Sequence, residues 1–478
     1  MAVKMGQFTR TGQAQPDKRK PHERNADFGE IYRPFSLEGA AEQASRCEQC
    51  GIPYCQIHCP VQNNIPDWLM LAAEGRLWEA YQTSQATNNL PEICGRICPQ
   101  DRLCEGGCVL EQSGHGAVTI GSVEKHINET AWQEGWVKPV RPAAERGESV
   151  SIVGAGPGGL AAAEQLRRHG YQVTVYDRHD RVGGLLIYGI PGFKLDKTVV
   201  QRRADLLAQA GVTFRLNFDV GNDATVADLR GTHDAVILMA GVYRARGLRC
   251  PGAGLDGVIQ ALPFLTASNR KDLGDSVPEF DDGTLNARGK RVVVVGGGDT
   301  AMDCVRTAVR EGATAVTCLY RRDRANMPGS QREVEHAEEE GVTFEWLAAP
   351  EAVLGDDRVR GVRVVRMHLG QADASGRKTP QPVEGSQFDL DADMVITALG
   401  FEPEDVPKRL GAPDVKTGRH GTVLVDHRSG MTSMDGVFAG GDVVRGASLV
   451  VWAIRDGRDV AEGVHQHLTT RAARAQAS

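Results

Sequence analysis

Two stretches of the chain share one pattern of apolar and polar positions. At Ser149 an apolar run, SVSIV, leads into a glycine-rich turn, GAGPGG. Apolar residues at helical spacing follow in LAAAEQLRRHG, and a second apolar run, YQVTVY, closes the unit. Near Lys290 the plan recurs as KRVVVVGGGDTAMDCVRTAVREGATAVTCLYRRDR. A short apolar run, a glycine turn, an amphipathic stretch and another apolar run predict a strand–helix–strand unit with buried parallel strands. Ahead of the first unit, IPDWLMLAAEGRLWEAYQTSQATNN reads as a pair of amphipathic helices and SVEKHINETAWQEG as another helix. VKPVRPAAERGES is a proline-containing linker, and the chain closes on GVFAGGDVVRGASLVVWAIRDGRDVAEGVHQHL, a strand, a Gly-Asp turn and a long helix.

Composition narrows the function classes. Of 478 residues, 41% are hydrophobic, enough for more than one core, and glycine is abundant at 56 residues, as close backbone approach to ligands demands. The net charge of −7 argues against general nucleic-acid affinity. The basic cluster DKRKPHER lacks an apolar core, so the first 25 residues read as a solvated arm rather than a signal peptide, with partner contact as the sharper alternative. No run approaches the roughly 18 apolar residues of a membrane span. The expectation is a soluble cytoplasmic protein with no nucleic-acid or membrane partner, in a compartment that disfavours disulfides.

Gly154, Gly156 and Gly159 form G-x-G-x-x-G directly after the first strand. The first glycine permits the turn, the second admits a pyrophosphate to the backbone, and the third lets the helix pack on the strand. Asp177, at the end of YQVTVY, stands where a ribose hydroxyl needs an acceptor. In the second unit Gly296, Gly298 and Ala301 take the three small positions, with Asp299 and Thr300 at the start of the helix. Arg321 and Arg322 replace the acid, which suits a 2′-phosphate. FAD on the first turn and NADPH on the second is the economical interpretation, and Gly441 and Asp442 of AGGDVV support FAD as the Gly-Asp that reaches a ribityl chain. The fold class is therefore α/β: a helical N-terminal domain at 1–145, an FAD domain built from 146–254 and 402–478, and an NADPH domain at 255–401. The second Rossmann-like domain is inserted into the first.

Eight of the eleven cysteines crowd into the helical region. Cys47, Cys50, Cys55 and Cys59 form C-x2-C-x4-C-x3-C before Pro60, and Cys94, Cys98, Cys104 and Cys108 form C-x3-C-x5-C-x3-C. The first burst resembles the ferredoxin run, in which three close thiolates hold one 4Fe–4S cluster and the proline-adjacent cysteine serves another. Crossed sharing puts Cys47, Cys50, Cys55 and Cys108 on one cluster and Cys59, Cys94, Cys98 and Cys104 on a second; one burst per cluster is the local alternative. Zinc fits ladders of four thiols poorly. Cys250, Cys304 and Cys318 read as structural, and Cys304 has no C-x-x-C partner.

The stretches PEICGRICPQDRLCEGGC, HGAVTIGSVEK, GGLLIYGIPGFKL, GGGDTAMDCVRTA, YRRDRANMPGSQRE, ALGFEPED and GDVVRGASLVVWAIRDGR together resemble the small (β) subunits of bacterial NADPH-dependent glutamate synthases over essentially the full length. The N-terminal part of dihydropyrimidine dehydrogenase is similar to the same module and favours crossed ligation. The resemblance implies an iron–sulfur N-terminal domain and oxidation of NADPH through FAD. It implies electron exit through two 4Fe–4S clusters to a large (α) subunit in a hetero-oligomer, with L-glutamine and 2-oxoglutarate converted there to L-glutamate. It implies that Gly184 and Leu185 line the flavin, that Lys194 lies near it, and that Gly400 is a point of close backbone approach. Ala240 and Gly158 depart from the family's usual threonine and alanine. No (β/α)₈ pattern is present, so the glutamate-forming chemistry is expected on the partner. A related NADPH:acceptor oxidoreductase and a non-enzymatic, zinc-stapled binding module are the alternatives.

Overall fold

The computed structural model describes residues 5–372 and 378–477. Strands β1 (Ser149–Val153), β2 (Gln172–Tyr176), β3 (Thr213–Arg215) and β4 (Ala235–Leu238) belong to the first strand–helix–strand unit and its continuation. A two-residue β5 (Arg244–Ala245) follows. Next come β6 (Val258–Gln260), β7 (Arg291–Val295), β8 (Ala315–Tyr320) and β9 (Thr343–Trp346). Strands β10 (Ala348–Gly355), β11 (Val359–Ala372), β12 (Lys378–Pro382) and β13 (Phe388–Asp391) lead to β14 (Met394–Thr397), β15 (Phe401–Glu402) and β16 (Val437–Ala439).

Two parallel five-stranded sheets result, ordered β16-β4-β1-β2-β3 and β6-β14-β7-β8-β9. All strands of the second sheet lie in the chain between β4 and β16 of the first. The two passages between the sheets pair with each other as the antiparallel ribbon β5–β15. An antiparallel group, β10 to β13, flanks the second sheet. β1, β4, β7 and β14 are buried along almost their whole length: helices pack on the first sheet, and the second lies between helices on one face and the antiparallel strands β10 and β11 on the other. The helix Pro157–Arg168 packs on the terminal helix Val450–Ala477 at a crossing that needs glycine: a Cβ on Gly457 would strike the Gly158 carbonyl.

The N-terminal region is helical, as its pattern predicts. Ile65–Ala73 and Leu77–Gln85 form the amphipathic pair, broken at Gly75 in left-handed backbone (φ 78°), and Ile120–Gln133 supplies the third helix. Trp68, Ile93, Val123 and Ile127 are fully buried there.

The described part of the basic arm departs from the solvated reading. Lys18 pairs with Glu339 at 2.6 Å, and Arg24 is fully buried with Glu339 at 2.6 Å and Glu340 at 3.5 Å. Asn25 donates to the Glu340 carbonyl at 3.1 Å, and Tyr32 bonds His336 at 2.8 Å. The arm is a strap across the helix Gln331–Glu339 of the second unit. The acidic end of that helix attracts the basic arm: Lys18 and Arg24 find their carboxylates on a different element, a pairing invisible to a local pattern, while Arg19 pairs with Asp27 within the arm.

The helical region docks on the first nucleotide unit through ion pairs. Glu92 and Arg203 meet at 2.8 Å with both side chains essentially inaccessible. Arg96 bridges Glu30 and Glu129 at 2.6 and 2.8 Å, and Arg202 reaches Glu129 at 2.5 Å. Removing one partner of a buried pair strands the other charge. Arg203→Ala is expected to cost about 3–5 kcal/mol in chemical denaturation, whereas replacing both Glu92 and Arg203 by apolar residues costs much less.

Candidate functional site

The first glycine turn is built for close approach. Gly154 sits at φ 113°, where a Cβ would strike the Met239 carbonyl, and a Cβ on Gly159 would overlap the Gly154 carbonyl. Gly156 faces open space, and Gly184 (φ 54°) closes on it so that a Cβ would lie 3.0 Å from the Gly156 Cα. The helix Pro157–Arg168 carries no acid and no side-chain cap in its first turn, so its N–H groups remain available to an anion. Asp177 is held at the rim by backbone donors, Ala155 N–H at 2.7 Å and His179 N–H at 2.9 Å. Each carboxylate oxygen keeps capacity for a further bond. Leu185, Met239, Tyr243, Gly441, Asp442 and Leu449 complete the cleft. Burial pushes the Asp442 carboxyl up, while the Ser448 hydroxyl donates to it at 2.8 Å. A glycine cradle, an acceptor at one end and an apolar wall at the other fit a flavin dinucleotide. Gly400 (φ 87°) does not line this cleft; it lies beside the β5–β15 ribbon, where its carbonyl accepts from Arg246 N–H at 3.0 Å.

At the second turn a Cβ on Gly296 would strike the Ala398 carbonyl, Gly298 faces open space, and Ala301 is fully buried in the core of that unit. The two arginines diverge, as successive residues at a strand end do. Arg321 is exposed, whereas Arg322 is buried and donates through Nε to the Lys378 carbonyl at 3.2 Å.

The eight thiols separate into two hollows. Cys47, Cys50, Cys55 and Cys108 line one, and Cys59, Cys94, Cys98 and Cys104 line the other. This is the crossed grouping. Among the described residues no three His, Cys, Asp or Glu side chains converge on a single ion-sized point. One tetrahedral zinc with Zn–S near 2.3 Å would draw its thiolates to within ~4 Å of each other, whereas an iron–sulfur cube holds them further apart. Burial pushes the Cys47 thiol to about 11 and those of Cys55 and Cys59 to about 12, so a bound metal is what would draw off their protons. The donor set fits a cluster in each hollow. The second hollow also exposes the carboxyl of Glu124, which the cysteine spacing did not signal.

Between the two turns and the second hollow lies a chamber of about 410 Å³. The first unit contributes Leu185, Lys194 and Leu449, the second Asp299, Thr300 and Asp303, and the helical region Cys98 and Pro99. Leu185, Ser448, Leu449 and Val450 line both this chamber and the first cleft, and Cys98 lines both the chamber and the second hollow. Ser448, Leu449 and Val450 were missed as site residues, although their apolar run before the terminal helix was visible. Lys194 crosses to the other unit, 2.9 Å from Asp303 and 3.6 Å from Glu333. Burial would lower its ammonium, but the two carboxylates outweigh it and hold it above its ordinary range.

Residues 24–136 match the family described as dihydropyrimidine dehydrogenase domain II, 4Fe-4S cluster, and residues 148–457 match pyridine nucleotide-disulphide oxidoreductase. The glutamate synthase (NADPH) small chain of Azospirillum brasilense is 66% identical over 465 residues, covering 97% of this chain and 96% of its own. That of Escherichia coli K12 is 46% identical over 469 residues, covering 97% and 99%. Among solved structures, Mycobacterium tuberculosis FprA in complex with NADPH shares the fold, with TM-score 0.57 and 20% identity over 69% of this chain and 86% of that one. Fold and site thus define an oxidoreductase of the two-dinucleotide class carrying an iron–sulfur domain. The chain belongs to the glutamate synthase (NADPH) small-chain family. The expected fold class and the resemblance are both borne out. No described helix is long and apolar enough to cross a membrane.

Beneath the chamber-lining segment, buried Lys197 donates to the Leu186 carbonyl at 3.0 Å and to the Ile190 carbonyl. Burial lowers its ammonium to about 7. The unfolded chain therefore binds the extra proton over the interval above that value, and this group's contribution to stability rises from pH 7 toward the ordinary lysine range near 10. Denaturation midpoints of Lys197→Met are expected to lack that part of the rise shown by the unaltered protein.

Proposed function

We propose that this chain is the electron-input subunit of a glutamate synthase. It binds FAD at the first glycine turn and NADPH at the second, and carries two 4Fe–4S clusters. The electrons pass to a large subunit that forms L-glutamate from L-glutamine and 2-oxoglutarate, in a hetero-oligomer in the cytoplasm. The carrying observation is the shared chamber, which opens to the first cleft at Leu185 and Leu449, to the second unit at Asp299 and Thr300, and to a thiol hollow at Cys98. Bound FAD supplies the conversion of a hydride's two electrons into single electrons that iron–sulfur clusters can carry.

The chain's own residues bind, orient and shield. Gly154, Gly156, Gly159 and Gly184 admit a diphosphate, and Asp177 and Asp442 offer acceptors at the two ends of the first cleft. Gly296, Gly298, Asp299, Thr300 and Ala301 form the second turn, and exposed Arg321 rather than Arg322 offers its guanidinium to a 2′-phosphate. Lys194, tied to Asp303, keeps a positive charge at the seam between the units. Cys47, Cys50, Cys55 and Cys108 hold one cluster; Cys59, Cys94, Cys98 and Cys104 surround the other, with Glu124 beside them. Residues 1–145, 146–254 with 402–478, and 255–401 act as the three domains of this relay.

Losing a charge-assisted contact costs about 1.5–3 kcal/mol. Arg321→Ala should therefore raise the Kd for NADPH by about tenfold or more, leave NADH within about threefold, and exceed the effect of Arg322→Ala; equal weakening of both nucleotides refutes the 2′-phosphate role. Cys108→Ser is expected to alter the same paramagnetic cluster signal as Cys47→Ser and not the one altered by Cys98→Ser. Anaerobic co-purification should retain a large amidotransferase subunit, and mixing the two should give glutamine-dependent NADPH oxidation. Absence of both outcomes removes the glutamate synthase assignment.

A further inference from the structure

The second glycine turn is covered by the loop Pro328–Ser330. Gly329 N–H donates to the Gly297 carbonyl at 3.0 Å, and a Cβ on Gly329 would lie 3.4 Å from the Gly298 carbonyl carbon and 3.5 Å from the Asp299 nitrogen. Ser330 N–H donates to Asp299 Oδ1 at 3.0 Å. The loop is held from outside its own unit. Asp101 of the helical region accepts the Ser330 hydroxyl at 2.9 Å through Oδ1 and the Gln331 N–H at 3.0 Å through Oδ2. The helix Gln331–Glu339 has no cap from its own Ser330 side chain, so Asp101 caps it from another part of the chain. Arg102 donates to the Pro328 carbonyl, and Arg332 pairs with Glu105 at 2.6 Å. Asp101, Arg102 and Glu105 sit in the segment that carries Cys98 and Cys104.

We propose that Asp101 is a positioning residue for the dinucleotide diphosphate at the second glycine turn, acting through Ser330 on Asp299. The proposal rests on the NADPH reading of that turn. Asp299 opens the helix Asp299–Arg310, whose N-terminus is where a diphosphate seats. A carboxylate free to swing over those N–H groups competes with the diphosphate and repels it. The Ser330 N–H holds the Asp299 carboxylate aside, and Asp101 holds Ser330. The segment that carries two thiols of the second hollow thereby also completes the nucleotide site.

The test is NADP⁺ binding by anaerobic calorimetry to the full chain loaded with flavin and iron. Asp101→Ala is expected to raise Kd about tenfold, the loss of one charge-assisted contact pair. KM for NADPH should rise while kcat at saturation stays, with flavin and iron content unchanged. Asp101→Asn, which can accept from Gln331 N–H and donate to the Ser330 hydroxyl, should restore Kd to within about threefold. Ser330→Ala, which removes the hydroxyl held by Asp101 but keeps the N–H to Asp299 and the Asp101–Gln331 contact, should raise Kd by about threefold even if Asp101→Ala impairs iron loading. An unchanged Kd in Ser330→Ala, or in a fully loaded Asp101→Ala, overturns the proposal. If Arg321→Ala weakens NADP⁺ while these variants do not, the positioning role alone falls. If the unaltered chain binds no NADP⁺, or Arg321→Ala leaves its binding untouched, the NADPH reading falls and the proposal with it.

Discussion

The buried pair of Glu92 and Arg203 is the constraint on which the arrangement depends. One charge belongs to the helical region and the other to the first nucleotide unit, and neither reaches water. Separating the two regions would leave each charge either stranded or newly solvated at the expense of the surrounding core, so the docking is held to one geometry. The chamber exists only in that geometry, because three regions of the chain contribute its walls. Arg202 extends the same seam to Glu129, which Arg96 links to Glu30 and Lys125 within the helical region.

A second seam runs to the other nucleotide unit. The strap of Lys18 and Arg24 holds the far end of the helix Gln331–Glu339, and Asp101 holds its start. Arg306, fully buried, joins Glu340 at 2.9 Å and Glu333 at 2.6 Å, whereas Glu339 takes its cations, Lys18 and Arg24, from the strap. Coupled carboxylates and guanidinia of this kind contribute little net stability but discriminate strongly among relative placements. In a relay whose parts must lie close together, placement is what matters.

Much of this was legible in the residue order. Both strand–turn–helix units read directly from apolar runs and glycines, since a buried parallel strand needs continuous hydrophobicity and a diphosphate turn needs residues without Cβ. The spacings and the proline-adjacent cysteine admitted crossed sharing of the thiols beside one burst per cluster, and the two hollows are lined in the crossed grouping. The basic arm misled because its partners, Glu339 and Glu340, lie more than three hundred residues away. Gly400 takes its left-handed backbone beside the ribbon between the sheets, apart from the first cleft, a placement the residue order did not signal. Arg321 and Arg322 read as equals, yet alternation at a strand end turned one outward and buried the other.

The sequence by itself determined the local chemistry: two dinucleotide turns, eight thiols, and the helices and strands that carry them. These depend on backbone freedom, side-chain period and donor type, all set within a few residues. Only the tertiary structure decided which groups face one another. Cys98 opens to the chamber, Lys194 answers Asp303, and Asp101 caps a helix of another unit, because buried charges accept only the partners that packing brings within hydrogen-bond reach.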